Sequence, residues 1–213
     1  MWKAVIFDMD GLMFDTEFLV VKAWDKVGQD LGVGKLGFMI NKALGTNADK
    51  TRELFYEEFK GKVDYDQVTK LSREYIYDYY DKNGIPVKEG LYELLDYLKE
   101  KKYKLAVASS SRRESVLHHL EDAKVTDYFD AIVCGDMIKN SKPAPDIYLK
   151  AAKELGVDPS ECIALEDSPN GIRSANNAGM KVIMVPDLVK PDKEISDIIY
   201  MKLENLKKVI GVI

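Results

Sequence analysis

From about residue 90 onward, short apolar runs alternate with segments of helical period. The predicted strands span residues 104–109, 131–134, 162–165 and 181–185, and the predicted helices span residues 90–101, 112–122, 145–155 and 168–178. A weaker strand–helix pair runs through residues 195–209. Strands that alternate with helices form βαβ units, which build a parallel sheet with right-handed crossovers. The sequence therefore predicts the α/β fold class with a parallel sheet.

One further predicted strand, Ala4–Phe7, stands far from the others in the sequence. The residues after it keep a helical period from about 16 to 83, and no β-rich run interrupts them. A crossover between parallel strands needs only about a dozen residues. We therefore predict an α/β core domain formed by residues 1–14 and 84–213, and a small all-helical domain, residues 15–83, inserted after the first strand.

Composition and charge bear on the partners and the location of the protein. Of the 213 residues, 46% are hydrophobic and 31% are charged, as in ordinary globular proteins. The net charge is −5 and there is no Lys/Arg stripe, so no nucleic-acid partner is expected. No apolar run approaches the roughly 20 residues that span a bilayer, and the N-terminus lacks a signal-peptide pattern. We expect no membrane partner and a cytoplasmic location, with Cys134 and Cys162 as buried, reduced thiols.

Polar residues follow the predicted strands at their carboxyl ends. They are Asp8 and Asp10, then Ser109, Ser110 and Ser111, then Lys142 after a loop, and finally Glu166 and Asp167. In a parallel sheet these ends share one edge, so the side chains should converge there. Two carboxylates as close as Asp8 and Asp10 repel each other unless a cation or a proton lies between them. The set suits phosphoryl transfer, with oxygen ligands for Mg²⁺, donors for phosphate oxygens and a fixed positive charge.

The order of these motifs resembles that of the haloacid dehalogenase-like hydrolase superfamily. The resemblance rests on residues 7–12 with 15–17, residues 108–111, residues 142–146 and residues 166–171, and it covers nearly the whole chain. It is closest to the β-phosphoglucomutase-like and capped sugar-phosphatase branch. The resemblance implies a Rossmann-like core, a helical cap domain inserted after the first motif, and a phosphoric monoester hydrolase.

The resemblance also implies a role for each acidic residue. Asp8 would attack the phosphorus of a phosphate monoester and form an aspartyl phosphate. Asp10 would protonate the leaving alcohol and later accept a proton from the attacking water, and its backbone carbonyl would bind the metal. Asp167 would hold Mg²⁺ together with Asp8, and Glu166 would be an outer or alternate ligand. Mn²⁺ or Co²⁺ is expected to be able to substitute.

Further residues are expected to bind the substrate. The Ser109 hydroxyl, the Ser110 N–H and Lys142 would hold the transferring phosphoryl oxygens, and Gly11 would let the chain turn sharply beside the substrate. In the predicted cap, a polar loop is expected to select among substrates. Its candidate residues are Gly45, Thr46 and Asn47.

The expected substrate is a small phosphorylated metabolite, with phosphorylated carbohydrates as the favoured class. The nearest alternative is a sugar phosphomutase of the β-phosphoglucomutase type. Such mutases resemble one another in having a histidine in the first cap helix and basic residues around the cap loop. The corresponding positions here are Val20, Leu44 and Ala48, so hydrolysis is favoured.

Two other functions stay open. The motif stretches also resemble nucleoside-monophosphate and pseudouridine-phosphate phosphatases. A phospho-Asp receiver module would combine an acidic cluster with a lysine, but it would be shorter and would carry its acceptor Asp on a middle strand. A monomer is expected, because a cap must open and close over the site.

Overall fold

The computed structural model describes residues 2–43, 48–187 and 191–213. Within these residues, six strands form one parallel sheet in the order β3-β2-β1-β4-β5-β6. The strands are β1 (Ala4–Phe7), β2 (Lys104–Ser109), β3 (Ala131–Cys134), β4 (Cys162–Glu166), β5 (Lys181–Met184) and β6 (Met201–Lys202). The predicted α/β fold with a parallel sheet is therefore confirmed.

β1 lies in the interior of the sheet, between β2 and β4. All four of its residues are fully buried, as expected for a continuous apolar run in a parallel sheet covered on both faces. The register pairs Phe7 with Val107 on one side and with Leu165 on the other. The residues just beyond β1 therefore lie beside the carboxyl ends of β2 and β4.

Helices follow most of these strands in the chain. They are α5 (Leu91–Glu100), α6 (Arg113–Asp122), α7 (Asp146–Leu155), α8 (Pro169–Asn177) and α9 (Lys193–Ile198), with 3₁₀ turns at Thr126–Tyr128, Gly135–Met137, Pro159–Glu161 and Leu206–Gly211. α7 and α8 pack on one face of the sheet, where their buried residues join those of the strands in a single hydrophobic core. Both cysteines are buried and reduced, as predicted.

The chain divides into two compact units. One is the α/β unit, Met1–Asp15 with Ile85–Ile213, and the other is the helical unit, Thr16–Gly84. The sequence-based division lies one residue earlier at each boundary. The helical unit contains α1 (Thr16–Asp30), α2 (Phe38–Lys42), α3 (Ala48–Phe59) and α4 (Tyr65–Asn83), and no strand is present in its described residues.

The helical unit has a hydrophobic core of its own. Trp24 packs edge-on against Phe55 and Tyr65, with ring centroids 5.7 and 6.2 Å away. Such edge-to-face pairs are worth about 0.5–1.5 kcal/mol beyond the area they bury. A Cβ at Gly28 would lie 2.1 Å from the Gly34 carbonyl oxygen, so only glycine allows this close approach.

None of the helices in the described part of the chain has the length and the apolar character that crossing a membrane requires.

The predicted strand–helix pair over residues 195–209 is present in part, since β6 is followed by the 3₁₀ turn Leu206–Gly211. The start of the range differs: Ile195 lies in α9, whose N-terminus is capped by the Asp192 side chain, and the strand begins only after this helix. That strand, β6, has only two residues and is defined by its pairing with β5. A strand this short leaves no periodic signal in the sequence, because its position depends on a neighbour distant in the chain.

Candidate active site

The turn after β1 places Asp8 and Asp10 at the carboxyl end of the sheet. The Asp8 N–H continues the sheet pairing by donating to the Leu165 carbonyl oxygen at 3.0 Å. The turn closes when the N–H groups of Met13 and Phe14 donate to the Met9 carbonyl oxygen at 2.9 and 3.2 Å. Asp8 is buried and Asp10 is half-buried, so the two carboxylates are held in different surroundings.

Gly11 is required at this turn for two reasons. Its φ of +84° lies in the left-handed region, which other residues adopt only with strain. A Cβ at this position would also lie 2.4 Å from Asp167 Oδ2, which is closer than real Cβ contacts allow. The glycine thus lets the turn after β1 approach the carboxylate that follows β4. Its predicted contact with the substrate stays a prediction.

Lys142 links two of the buried carboxylates. Its Nζ lies 2.5 Å from Asp8 Oδ1 and 2.7 Å from Glu166 Oε1, and its side chain is only 7% exposed. Burial alone would lower the pKa of Lys142, but the charges of Asp8 and Glu166 outweigh that effect and raise the pKa above its ordinary value. The lysine therefore stays positively charged over the whole physiological pH range.

Glu166 is fully buried and holds its position through many hydrogen bonds. Its Oε1 accepts from Lys142 Nζ at 2.7 Å and from the Tyr148 hydroxyl at 2.8 Å. Its Oε2 accepts from the Asp167 N–H at 3.1 Å, the Ser168 N–H at 3.2 Å and the Ser168 hydroxyl at 3.0 Å. A Cβ at Gly171 would lie 1.7 Å from Oε1, so the first turn of α8 must carry glycine there. Both Glu166 oxygens are thus occupied by donors from the protein.

The serine cluster after β2 surrounds Asp10. The Ser111 hydroxyl donates to Asp10 Oδ2 at 2.8 Å, and the Ser109 hydroxyl lies 3.4 Å from the same oxygen. The Ser109 oxygen also accepts from the Ser111 N–H at 3.0 Å, while Ser110 is exposed. The cluster therefore orients the Asp10 carboxylate, a contact that the sequence motif alone did not indicate for Ser111.

Burial and the neighbouring negative charges at this edge of the sheet raise the pKa of Asp8 to about 8. Burial is the largest cause, since it disfavours the ionised form. The Glu166 and Asp10 charges act in the same direction, and Lys142 opposes them. Lowering this pKa requires a further positive charge near Asp8.

Asp8, Glu166 and Asp167 form a cluster that could hold a metal ion. Each offers a carboxylate oxygen, and these oxygens lie within 4.8 Å of one another. All three residues are buried, and Lys142 is the cation that contacts two of them in the described part of the chain. Buried carboxylate oxygens in excess over positive charge are the donor set of a hard divalent cation such as Mg²⁺. The residues present therefore fit the predicted cofactor.

The family model for haloacid dehalogenase-like hydrolases matches residues 5–185 of the sequence. The chain belongs to this family. A phosphorylated carbohydrates phosphatase from Thermotoga maritima is 32% identical over 186 residues, which are 85% of this chain and 83% of that protein. The predicted enzyme class, a phosphoric monoester hydrolase, agrees with the family and with the name of this relative.

The fold of this haloacid dehalogenase-like protein is also found in solved structures. CbbY from Rhodobacter sphaeroides, in complex with phosphate, matches with a TM-score of 0.77 and 27% identity, covering 98% of this chain and 96% of that one. The β-phosphoglucomutase from Clostridium difficile matches with a TM-score of 0.72 and 25% identity, covering 98% and 93%. Both likenesses extend over nearly the full length of each chain.

The structure brings most of the predicted site residues of this haloacid dehalogenase-like chain to one edge of the sheet. They are Asp8, Asp10, Gly11, Ser109, Lys142, Glu166 and Asp167. Ser110 follows the same strand but its side chain is exposed. Gly45, Thr46 and Asn47 lie outside the described residues, so their predicted role stays a prediction.

Sequence reasoning missed Tyr148, whose hydroxyl reaches Glu166 from α7. A signal for it was present in the helix that follows Lys142. Tyr148 stands among the residues of the buried face, with Ile147 and Ala151, and a buried tyrosine hydroxyl needs a hydrogen-bond partner. Burial, followed by the charges of Glu166 and Asp8, raises the pKa of Tyr148, so the hydroxyl remains protonated and donates.

Proposed function

We propose that this protein is a Mg²⁺-dependent phosphatase that hydrolyses phosphate monoesters of small metabolites, most of all phosphorylated carbohydrates, through an aspartyl phosphate. The observation that carries the proposal is the placement of Asp8, whose Oδ1 lies 2.5 Å from Lys142 Nζ at the carboxyl end of the sheet, with Asp10 two residues further on. The names of the relatives support the substrate class.

In the first half-reaction, an Asp8 oxygen attacks the phosphorus of the ester. The new Asp8 O–P bond forms as the bond to the leaving alcohol oxygen breaks, and the electron pair of that bond goes to the leaving oxygen. Lys142, beside Asp8, favours the ionised carboxylate and offsets the negative charge of the phosphoryl group. The product of this step is an aspartyl phosphate and an alcohol.

Asp10 acts as the general acid and then as the general base. It gives its proton to the leaving alcohol oxygen, and in the second half-reaction it takes a proton from the water that attacks the aspartyl phosphate. The Ser111 hydroxyl, which donates to Asp10 Oδ2 at 2.8 Å, holds the Asp10 carboxylate and leaves the Ser109 hydroxyl available for the substrate. Hydrolysis releases inorganic phosphate and restores the ionised Asp8.

The transferring phosphoryl oxygens are held by donors around the end of β1. We assign this role to the Ser109 hydroxyl, the Ser110 N–H and Lys142, with Gly11 allowing the backbone to pass close to the substrate. Ser109 and Lys142 are buried, so their donors work in surroundings where electrostatic interactions are stronger than in water.

We assign Mg²⁺ to Asp8, Asp167 and the Asp10 backbone carbonyl, with Glu166 as an outer or alternate ligand. When bound, the cation offsets the charge of the carboxylates and of the phosphoryl oxygens. The hydrogen bonds on both Glu166 oxygens support the outer position for that residue. Mn²⁺ and Co²⁺, which accept similar oxygen ligands, should be able to substitute.

The helical unit is proposed to be a cap domain that selects the substrate, with Gly45, Thr46 and Asn47 as its selecting residues. Phosphomutase activity is the second candidate, because the β-phosphoglucomutase structure resembles this chain over nearly its full length. A mutase moves the phosphoryl group to a second hydroxyl of the sugar and releases little phosphate, so the two activities can be separated by their products.

The test is a phosphate-release screen with purified protein. The panel contains an aryl phosphate, hexose and hexitol phosphates, and nucleoside monophosphates, each with Mg²⁺ and with EDTA. We expect Mg²⁺-dependent release of phosphate from sugar phosphates, and none from Asp8→Asn. Conversion of a hexose 1-phosphate to the 6-phosphate without release would favour the mutase. If no ester releases inorganic phosphate with Mg²⁺ present, the phosphatase proposal is contradicted.

A further inference from the structure

Tyr148 is a fully buried residue on α7, and both its ring and its hydroxyl reach the site. The hydroxyl donates to Glu166 Oε1 at 2.8 Å. The ring centroid lies 5.1 Å from Lys142 Nζ, within the range of a cation–π interaction. Tyr148 thus contacts the lysine directly through its ring and indirectly through Glu166.

The Tyr148 hydroxyl is not needed for packing. A phenylalanine would fill the same space on the buried face of α7 and would bring no polar group into the core. The tyrosine hydroxyl costs free energy when it is desolvated, and it recovers that cost only by hydrogen bonding. Its partner is the same carboxylate oxygen, Glu166 Oε1, that accepts from Lys142. The hydroxyl therefore stabilises the carboxylate that pairs with Lys142.

The Glu166 carboxylate has little freedom to rotate. Its Oε2 is held by the Asp167 N–H, the Ser168 N–H and the Ser168 hydroxyl, and its Oε1 by Tyr148 and Lys142. A carboxylate fixed at both oxygens presents Oε1 to Lys142 in one direction. The long lysine side chain, which has many rotamers when free, is then confined between Asp8, Glu166 and the Tyr148 ring.

We propose that Tyr148 is a positioning residue for Lys142: its hydroxyl fixes Glu166, and Glu166 and the tyrosine ring together hold the lysine ammonium beside Asp8. This inference rests on the proposed function. When Asp8 becomes esterified, Lys142 loses the charge of one of its two carboxylate partners. The lysine must still stay in place at that stage. Tyr148 and Glu166 keep it there to bind the phosphoryl oxygens.

Tyr148→Phe tests the hydroxyl without changing the packing. We expect kcat/KM for the preferred ester to fall about tenfold, as for the loss of a hydrogen bond to a charged group. The inhibition constant of inorganic phosphate should rise by a similar factor, because Lys142 also binds the product. The Mg²⁺ concentration for half-activation should stay within about twofold, since Tyr148 donates to Glu166 and the proposed direct ligands are Asp8, Asp167 and the Asp10 backbone carbonyl. Tyr148→Leu removes the ring as well and should have a larger effect.

A double-mutant cycle separates positioning from a general structural role. If Tyr148 acts through the lysine, Tyr148→Phe should cause no further loss of kcat/KM in a Lys142→Met background. A residue that only supports the fold would lower the rate by the same factor in both backgrounds. Tyr128→Phe is the matched control, because it removes a tyrosine–carboxylate hydrogen bond, 2.5 Å to Asp96, on the exposed surface.

The outcomes that overturn the inference are distinct from those that overturn the proposed function. An active wild type whose Tyr148→Phe variant keeps kcat/KM and phosphate inhibition within twofold overturns the inference alone. An equal loss in both lysine backgrounds does the same. A wild type that hydrolyses no ester overturns both. If thermal denaturation shows that the Tyr148→Phe variant is not folded, the same cycle is run with Glu166→Gln at saturating Mg²⁺, so that any loss of metal binding does not contribute, and the same non-additivity with Lys142→Met is expected.

Discussion

At the scale of single residues, the two aspartates that follow β1 lie in different surroundings, which suits the different roles proposed for them. Asp8 is buried beside Lys142 and Glu166, while Asp10 is half-buried and held by serine hydroxyls. The high pKa of Asp8 means that its ionisation depends on a nearby cation. In the proposed mechanism, Asp10 needs a proton for the first half-reaction and must have lost it for the second.

Metal removal should expose the raised pKa of Asp8 as a pH dependence of stability. The folded-state pKa of about 8 lies above the ordinary 3.8, so the folded protein binds this proton more tightly than the unfolded chain. The stabilisation is complete below about pH 4 and is lost as the pH rises through about 8. In EDTA, the free energy of unfolding should therefore fall across this window, as measured by chemical denaturation.

Asp8→Asn is the control for that dependence, because asparagine cannot titrate. The variant should show a shallower decline in stability between about pH 5 and pH 8. Mg²⁺ should stabilise the wild type more at pH 8 than at pH 5, since a metal binds deprotonated ligands. Equal slopes for wild type and variant in EDTA would show that Asp8 does not titrate in this range.

Replacing Asp10 with asparagine should slow both half-reactions. The amide can neither protonate the leaving oxygen nor accept a proton from water, so kcat should fall by about 10²–10⁴. Rapid-quench kinetics with an aryl phosphate would measure the two steps separately, and Asp127→Asn, an exposed aspartate, is the control. An unaltered rate would assign the acid–base role to another group.

At the scale of elements, the close approach of α8 to the end of β4 makes glycine necessary at position 171. In Gly171→Ala, the Cβ would meet Glu166 Oε1 at 1.7 Å and force the carboxylate away from Lys142 and Tyr148. We expect a loss of about 1–3 kcal/mol in the free energy of unfolding, together with reduced activity. Gly211→Ala, where nothing lies within 4 Å, is the control and should change neither.

At the scale of the whole molecule, each unit has its own hydrophobic core. Trp24→Ala removes the ring that packs on Phe55 and Tyr65, at a cost of about 3–5 kcal/mol in the helical unit. Backbone amide hydrogen exchange should become faster within Thr16–Gly84, while the amides of β1 and β4 should keep their protection. A uniform increase along the chain would mean that the two units unfold as one.

The sequence predicted the parts of the fold that depend on local signals. β1, β2 and β3 begin and end at the predicted residues, because each contains a short apolar run bounded by polar residues or turns. The convergence of Asp8, Lys142 and Glu166 followed from a general rule, since parallel strands share one carboxyl edge.

Other features could not be predicted because they depend on residues distant in the sequence. β6 is a strand only through its pairing with β5. The contact between the Tyr148 hydroxyl and Glu166 arises where α7 packs on the sheet, and the bond from Ser111 to Asp10 joins residues 101 positions apart.

The position of β1 between β2 and β4 has a consequence for protein synthesis. The strand that carries Asp8 leaves the ribosome well before one of its two sheet neighbours, Cys162–Glu166, because about 150 residues separate the two strands in the sequence. A nascent chain that ends before residue 162 lacks the second partner of β1 and also Glu166 and Asp167, the two carboxylates that lie beside Asp8. Asp8, the proposed nucleophile, therefore lacks these neighbours until β4 and the residues after it have emerged.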